Sequence, residues 1–169
     1  MKFAFVFPGQ SSQAVGMLNA WGDHVEVKNT LAEASEALGE DVAKLIAEGP
    51  AEALSLTTNT QPVMLTAGIA CYRAWRAEGG PEASVMAGHS LGEYGALVAA
   101  GVIEFKDAVP MVRFRAQAMQ DAVPVGTGGM AAILGMDDDA VRQVCADAQV
   151  ATGEVVEAVN YNAPAQVVI

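Results

Sequence analysis

The chain has 169 residues, about one domain and enough to bury a core. Twenty acidic against nine basic side chains leave a net charge of −11, which argues against partners such as nucleic acid or anionic membrane. No run of 18 apolar residues is present to cross a bilayer. Hydrophobic residues make up 52% of the chain, aromatics only 6%, and there are 17 glycines. An alanine- and valine-rich chain with many tight turns suits an α/β fold with helices packed closely on strands.

Phe3-Ala4-Phe5-Val6-Phe7 is an unbroken apolar run, expected as a strand buried on both faces. It follows Lys2, but Pro8 ends it too early for a signal peptide. Pro8 to Gln13 forms a turn. Val27, Leu31, Ala34 and Leu38 recur at helical spacing, and Gly39 closes that helix. Asp41 is a cap for a short helix carrying Val42, Leu45 and Ile46, ended by Gly49-Pro50. Thr60 and Pro62 mark the start of a longer helix to about Glu78. It is apolar nearly all the way round, so it is expected at the centre, and Gly79-Gly80-Pro81 stops it. Gly101 caps the next helix, and Asp107 starts another to about Ala122; with that start Pro110 is tolerated, and an earlier one implies a kink. After Gly126-Thr127-Gly128-Gly129, read as a hinge because the P-loop lysine is missing, come a strand (Met130 to Leu134), a helix (Asp137 to about Ala148) and a strand near Val155 to Val159. Met111, Met119 and Met130 are expected as core filler. Asn160 and Asn162 are expected to hold a turn. Cys71 and Cys145 have no metal-like spacing and read as small core residues of a reduced, cytoplasmic protein.

Gly88-His89-Ser90-Leu91-Gly92 carries the chemistry. It stands between the short apolar run Val85-Met86-Ala87 and the helical stretch Glu93 to Ala100. That is the strand–turn–helix setting in which G-x-S-x-G becomes a nucleophile elbow. The serine hydroxyl is then held above a helix N-terminus, whose free N–H groups stabilise a developing oxyanion.

Three segments resemble one family. Phe7-Pro8-Gly9-Gln10-Ser11-Ser12-Gln13, with Gly16-Met17, resembles the N-terminal signature of malonyl-CoA:acyl carrier protein transacylases. Gly88-His89-Ser90-Leu91-Gly92-Glu93-Tyr94 is similar to their active-site elbow. Asn160-Tyr161-Asn162-Ala163-Pro164, with Gln166 to Ile169, resembles a third stretch. The likeness runs from Phe3 to Ile169 and spans about the first half of the family's catalytic domain. The apolar end Gln166-Val167-Val168-Ile169 suits a chain cut short, whereas Met1 directly before the first strand suits a free-standing enzyme.

The resemblance implies a hydrolase-like, mainly parallel sheet with flanking helices over residues 1–125, and the first part of a ferredoxin-like subdomain over 127–169. It implies that Ser90 accepts malonyl from malonyl-CoA and passes it to the phosphopantetheine thiol of acyl carrier protein, in fatty acid or polyketide synthesis. The Leu91 and Gln10 backbone N–H groups correspond to the oxyanion hole, and Arg115 to the arginine that pairs with the malonate carboxylate. No metal or other cofactor is required. The family's histidine base has no counterpart here: His89 is expected to point away from Ser90, and His24 lies in a polar, exposed segment. Losing such a histidine costs about 10⁶ in rate in a serine hydrolase. Two rival functions remain, a serine hydrolase or thioesterase with the same elbow and an inactive fragment that binds CoA or a partner chain. Carrier protein and CoA are both anionic, so docking on this acidic chain calls for a basic patch, for which Arg73, Arg76, Arg113 and Arg115 are the candidates.

Overall fold

A computed structural model describes residues 2–123 and 126–169. It is a mixed α/β structure in two compact units, Met1–Ala122 and Val123–Ile169. The expected division at Val125 lies outside the described residues.

In the first unit, β1 (Ala4–Phe7) pairs in parallel with β2 (Val85–Gly88), Ala4 opposite Val85 and Phe7 opposite Gly88. Five α-helices precede α6: α1 (Val25–Leu38), α2 (Val42–Glu48), α3 (Ala51–Ser55), α4 (Thr57–Ala77) and α5 (Gly92–Ala99), followed by α6 (Phe105–Ala122). A short 3-10 turn at Asn19–Trp21 leads into α1. Helix α4 is central, as its all-round apolar sequence predicts, and packs against α1, α5 and α6. Its buried residues include Thr60, Gln61, Val63, Leu65, Ile69 and Ala70.

Helix ends follow the local chemistry. Asp41 Oδ1 accepts a hydrogen bond from the Lys44 N–H at 2.8 Å and starts α2. Gly39, at φ 65°, ends α1 with its own N–H on the Glu36 carbonyl and the Glu40 N–H on the Ser35 carbonyl. Two starts differ from expectation. Helix α4 begins at Thr57, and Thr60 is interior, its hydroxyl donating to the Leu54 carbonyl at 2.7 Å. Helix α6 begins at Phe105, fully buried, so Asp107 lies inside the first turn and is no cap. Pro62 and Pro110 are therefore each the sixth residue of a helix that continues to Ala77 and Ala122. Each removes one donor to the carbonyl four residues back. Helix α3 has no counterpart in the sequence pattern; five residues are too few to show a period.

The expectation that β1 is buried on both faces fails. Phe5, Phe7 and Met86 face the helices, whereas Ala4, Val6, Val85 and Ala87 form an uncovered face, Val6 being 72% exposed. Both α4 and α5 lie on the Phe7 side, against which Gly68 and Gly95 pack. The core of this unit joins Phe7, Val27, Ile46, Leu54, Val63, Ile69, Leu91, Phe105, Val109 and Val112.

The second unit contains β3 (Ala132–Leu134), α7 (Asp138–Thr152), β4 (Asn160–Ala163) and β5 (Gln166–Val168). The antiparallel order is β3-β5-β4, with Val167 opposite both Ile133 and Tyr161. Asp137 caps α7, accepting from the Ala140 N–H at 2.8 Å. Strand β3 starts two residues after Met130. The strand expected near Val155 to Val159 lies instead at Asn160–Ala163, because the ladder to β5 decides its position. Asn160 and Asn162 accordingly sit in a strand, and Pro164-Ala165 makes the turn. A small core of Val141, Cys145 and Val167 holds this unit together.

Met111, Met119 and Met130 are exposed and not core filler. Cys145 is buried and Cys71 half-buried. Among the described residues no helix is long and apolar enough to cross a membrane.

Candidate active site

The turn between β2 and α5 is set by its two outer glycines. A Cβ on Gly88 would fall 1.9 Å from the Gly92 carbonyl carbon, and one on Gly92 would fall 2.1 Å from the Phe7 carbonyl oxygen. No side chain fits at either position. Between them Ser90 adopts φ 53°, the left-handed conformation that costs a non-glycine residue about 1–3 kcal/mol. The strain is held by surrounding packing: Leu91, the next residue, is fully buried and belongs to the core. The exposed Ser90 thus stands at the tip of an anchored turn.

The Ser90 hydroxyl is engaged by a cation. Arg115, from α6, donates from Nη2 to Ser90 Oγ at 2.9 Å and from Nη1 to Gln61 Oε1 at 2.7 Å. Its guanidinium carbon also lies 5.9 Å from the centre of the Tyr94 ring, an outer-range cation–π contact. Gln61, from α4, has no accessible surface and donates from Nε2 to Gln10 Oε1 at 3.2 Å and to Met119 Sδ at 3.3 Å. One chain of hydrogen bonds therefore runs Gln10–Gln61–Arg115–Ser90. It joins the loop after β1 to α4, α6 and the elbow. Among the described residues, neither the Gln10 nor the Leu91 N–H donates to another backbone group.

Of the residues singled out from sequence, Ser90, Gln10 and Arg115 are thus brought together, with Leu91 adjoining. Gln61, Tyr94 and Met119 were not anticipated as neighbours of this cluster. Gln61 had a signal: it is an amide inside a helix that is otherwise apolar almost all round, and a buried polar group needs partners. Gln13 serves its own turn, its Oε1 accepting from the Ser11 N–H at 2.8 Å.

The histidines lie elsewhere. His24, expected in an exposed segment, is half-buried against Trp21 and bonded to Glu78 Oε1 at 3.2 Å. The His89 ring lies over the Gly9 Cα, with Nδ1 3.2 Å from where a Cβ would stand. The other arginines considered for docking are already engaged. Arg73 pairs with Glu33 at 2.7 Å and stacks over Phe105, Arg113 grips Glu40 with both terminal nitrogens, and Arg76 donates to the Gly80 carbonyl. No group of three or more histidine, cysteine or acidic side chains among the described residues is placed to hold a metal ion.

A glycine-framed, exposed serine in a left-handed turn between a strand and a helix has the form of a nucleophile elbow. Residues 4–169 match the acyl transferase domain family, and the chain belongs to it. Over 169 residues it is 56% identical to the malonyl CoA-acyl carrier protein transacylase of Escherichia coli K12, covering 99% of this chain and 54% of that protein. The enzyme of that name from Bacillus subtilis 168 is 49% identical, with 53% of its length covered. Among solved structures, an acyl-carrier-protein S-malonyltransferase from Burkholderia pseudomallei superposes with a TM-score of 0.95 at 72% identity, over 99% of this chain and 54% of that one. A malonyl-transacylase solved in complex with a type II polyketide acyl carrier protein gives 0.93 at 49% identity, over 99% and 54%. The chain spans about half the length of the relatives it matches.

Proposed function

We propose that this chain carries the nucleophile half of a malonyl-CoA:acyl carrier protein transacylase, with Ser90 as the acylated residue. The observation that carries the proposal is the donation of Arg115 Nη2 to Ser90 Oγ at 2.9 Å. A guanidinium beside the nucleophile binds an acyl group that ends in a carboxylate and disfavours a plain apolar chain. The same contact weighs against a lipase-like hydrolase.

In the proposed cycle Ser90 Oγ attacks the thioester carbonyl of malonyl-CoA as its proton leaves to a base. The Leu91 and Gln10 N–H groups take the oxyanion. Collapse breaks the carbon–sulfur bond and releases CoA, leaving a malonyl ester on Ser90. The phosphopantetheine thiol of acyl carrier protein then attacks that ester, and Ser90 Oγ regains a proton. The malonate carboxylate lies against Arg115 throughout. No metal or redox step is involved. The hydrolase-like and ferredoxin-like subdomains of the family correspond in this proposal to the two compact units.

The test is intact-protein mass spectrometry after incubation with malonyl-CoA and, separately, acetyl-CoA. The expected result is a malonyl adduct, absent in Ser90→Ala, with little acetyl adduct. An adduct that survives Ser90→Ala, or acetyl loading equal to malonyl, sinks the assignment.

A further inference from the structure

We infer that Gln61 is a positioning residue for acyl selection: it anchors Arg115 through an uncharged acceptor and so leaves the guanidinium its full charge for the incoming carboxylate. The inference rests on the proposed role of Arg115 and goes beyond it.

Three observations carry it. Gln61 is completely buried, yet each polar atom of its side chain is used: Oε1 accepts from Arg115, and Nε2 donates to Gln10 Oε1 and Met119 Sδ. Its position is fixed by the most buried helix of the unit, so the anchor is rigid. Finally, the anchor differs in kind from those of three of the other four arginines; the fourth, Arg76, donates to the Gly80 carbonyl in an exposed turn. Arg73, Arg113 and Arg142 are held by the carboxylates of Glu33, Glu40 and Asp139, and Arg113 stands only two residues from Arg115 on the same helix. Those three charges are locally neutralised. A carboxylate at position 61 would hold Arg115 at least as firmly, because charge-assisted bonds are the stronger ones. It would also compete with the malonate carboxylate for the same guanidinium. An amide orients the cation without cancelling it. With Nη1 committed to Gln61, Nη2 is aimed at Ser90, where the acyl group would arrive.

This separates a positioning role from a structural one. Gln61→Glu keeps the size of the side chain and an acceptor for Arg115, and the exposed Gln10 side chain can turn its amide to donate. If Gln61 served only packing, that variant would load acyl groups as the parent does, or lose malonyl and acetyl loading together.

The experiment has two arms on parent, Gln61→Glu and the isosteric Gln61→Met, each checked for folding by circular dichroism. In the first arm malonyl-CoA and acetyl-CoA compete for Ser90, and the adducts are counted by intact mass. In the second, free malonate is titrated against the Arg115 side-chain N–H resonances, assigned with Arg115→Lys; no acyl transfer is needed. The expected result is a malonyl-to-acetyl ratio and a malonate affinity each lower by about tenfold or more in Gln61→Glu, the worth of one charge-assisted bond. Gln61→Met, which frees the guanidinium, is expected to lower the same ratio. Parent-like ratio and malonate affinity in folded Gln61→Glu would overturn the inference, as would an equal loss of both adducts. If the parent forms no adduct from either thioester, as the lack of a histidine base allows, the malonate titration decides the role of Gln61.

Discussion

At Ser90 the backbone and the side chain have opposed requirements. The left-handed φ of 53° suits glycine, and the hydroxyl requires serine. Comparing Ser90→Gly with Ser90→Ala isolates the backbone cost, since both lose the hydroxyl and its bond to Arg115. Ser90→Gly is expected to be the more stable by about 1 kcal/mol in urea unfolding, and equal stabilities would refute a strained elbow. Cys71 offers a test by pH. Burial pushes its thiol up, only partly offset by a hydrogen bond from Trp21. A group whose folded pKa exceeds its unfolded value stabilises the fold fully below the unfolded pKa, and that contribution is lost as pH rises through the folded pKa. Stability above the ordinary thiol range should therefore fall less steeply in Cys71→Ala than in the parent, and parallel curves would remove the effect. Ser90 and its glycines are legible in sequence because a five-residue turn states its own geometry. Arg115 is not: on α6 it looks like Arg113, and only the tertiary fold sends one to Glu40 and the other to Ser90.

At the scale of single elements, caps were legible and boundaries set by packing were not. Asp41 and Asp137 each accept an N–H three residues on at 2.8 Å, a contact written within four residues of sequence. Asp41→Ala and Asp137→Ala are each expected to cost about 1 kcal/mol, measured by chemical denaturation, with Asn at either position restoring most of it. Phe105 carries no cap signal; it opens α6 because its ring is buried beneath Arg73. The misplaced strand has the same origin. Val155 and Val159 look like strand residues, but both are exposed, and β4 forms where Asn160 and Tyr161 meet Val168 and Val167. Apolar composition suggests a strand, while a partner's backbone selects its residues.

Among the described residues of the first unit, none covers one face of the parallel β1–β2 pair. Val6 and Val85 stand on it, and an apolar cavity of about 460 Å³ lined by Phe5, Val6, Phe7, Trp21, Tyr72 and Trp75 adjoins. The folded chain is therefore expected to bind 1-anilinonaphthalene-8-sulfonate in the absence of denaturant, an unusual property for a native domain. Val6→Lys should lower that fluorescence and leave the thermal midpoint nearly unchanged, because the side chain is already in water. Unchanged dye binding would place the apolar surface elsewhere. The sequence alone suggests burial on both faces for Phe3 to Phe7, since an apolar run records what a strand is suited to and not what covers it.

Three glycines, one in the loop that follows β1 and two framing the elbow, lock the two segments together. Gly88 abuts Gly92, Gly92 abuts the carbonyls of Phe7 and Pro8, and Gly9 abuts the carbonyl and ring of His89. At Gly92 the two loops meet backbone to backbone, with no side chain there that could be trimmed to make room. Neither can drift in sequence independently of the other. A saturation mutagenesis scan should find positions 88 and 92 intolerant even to alanine. Second-site suppressors should be rare, because a displaced backbone has no smaller residue to fall back on.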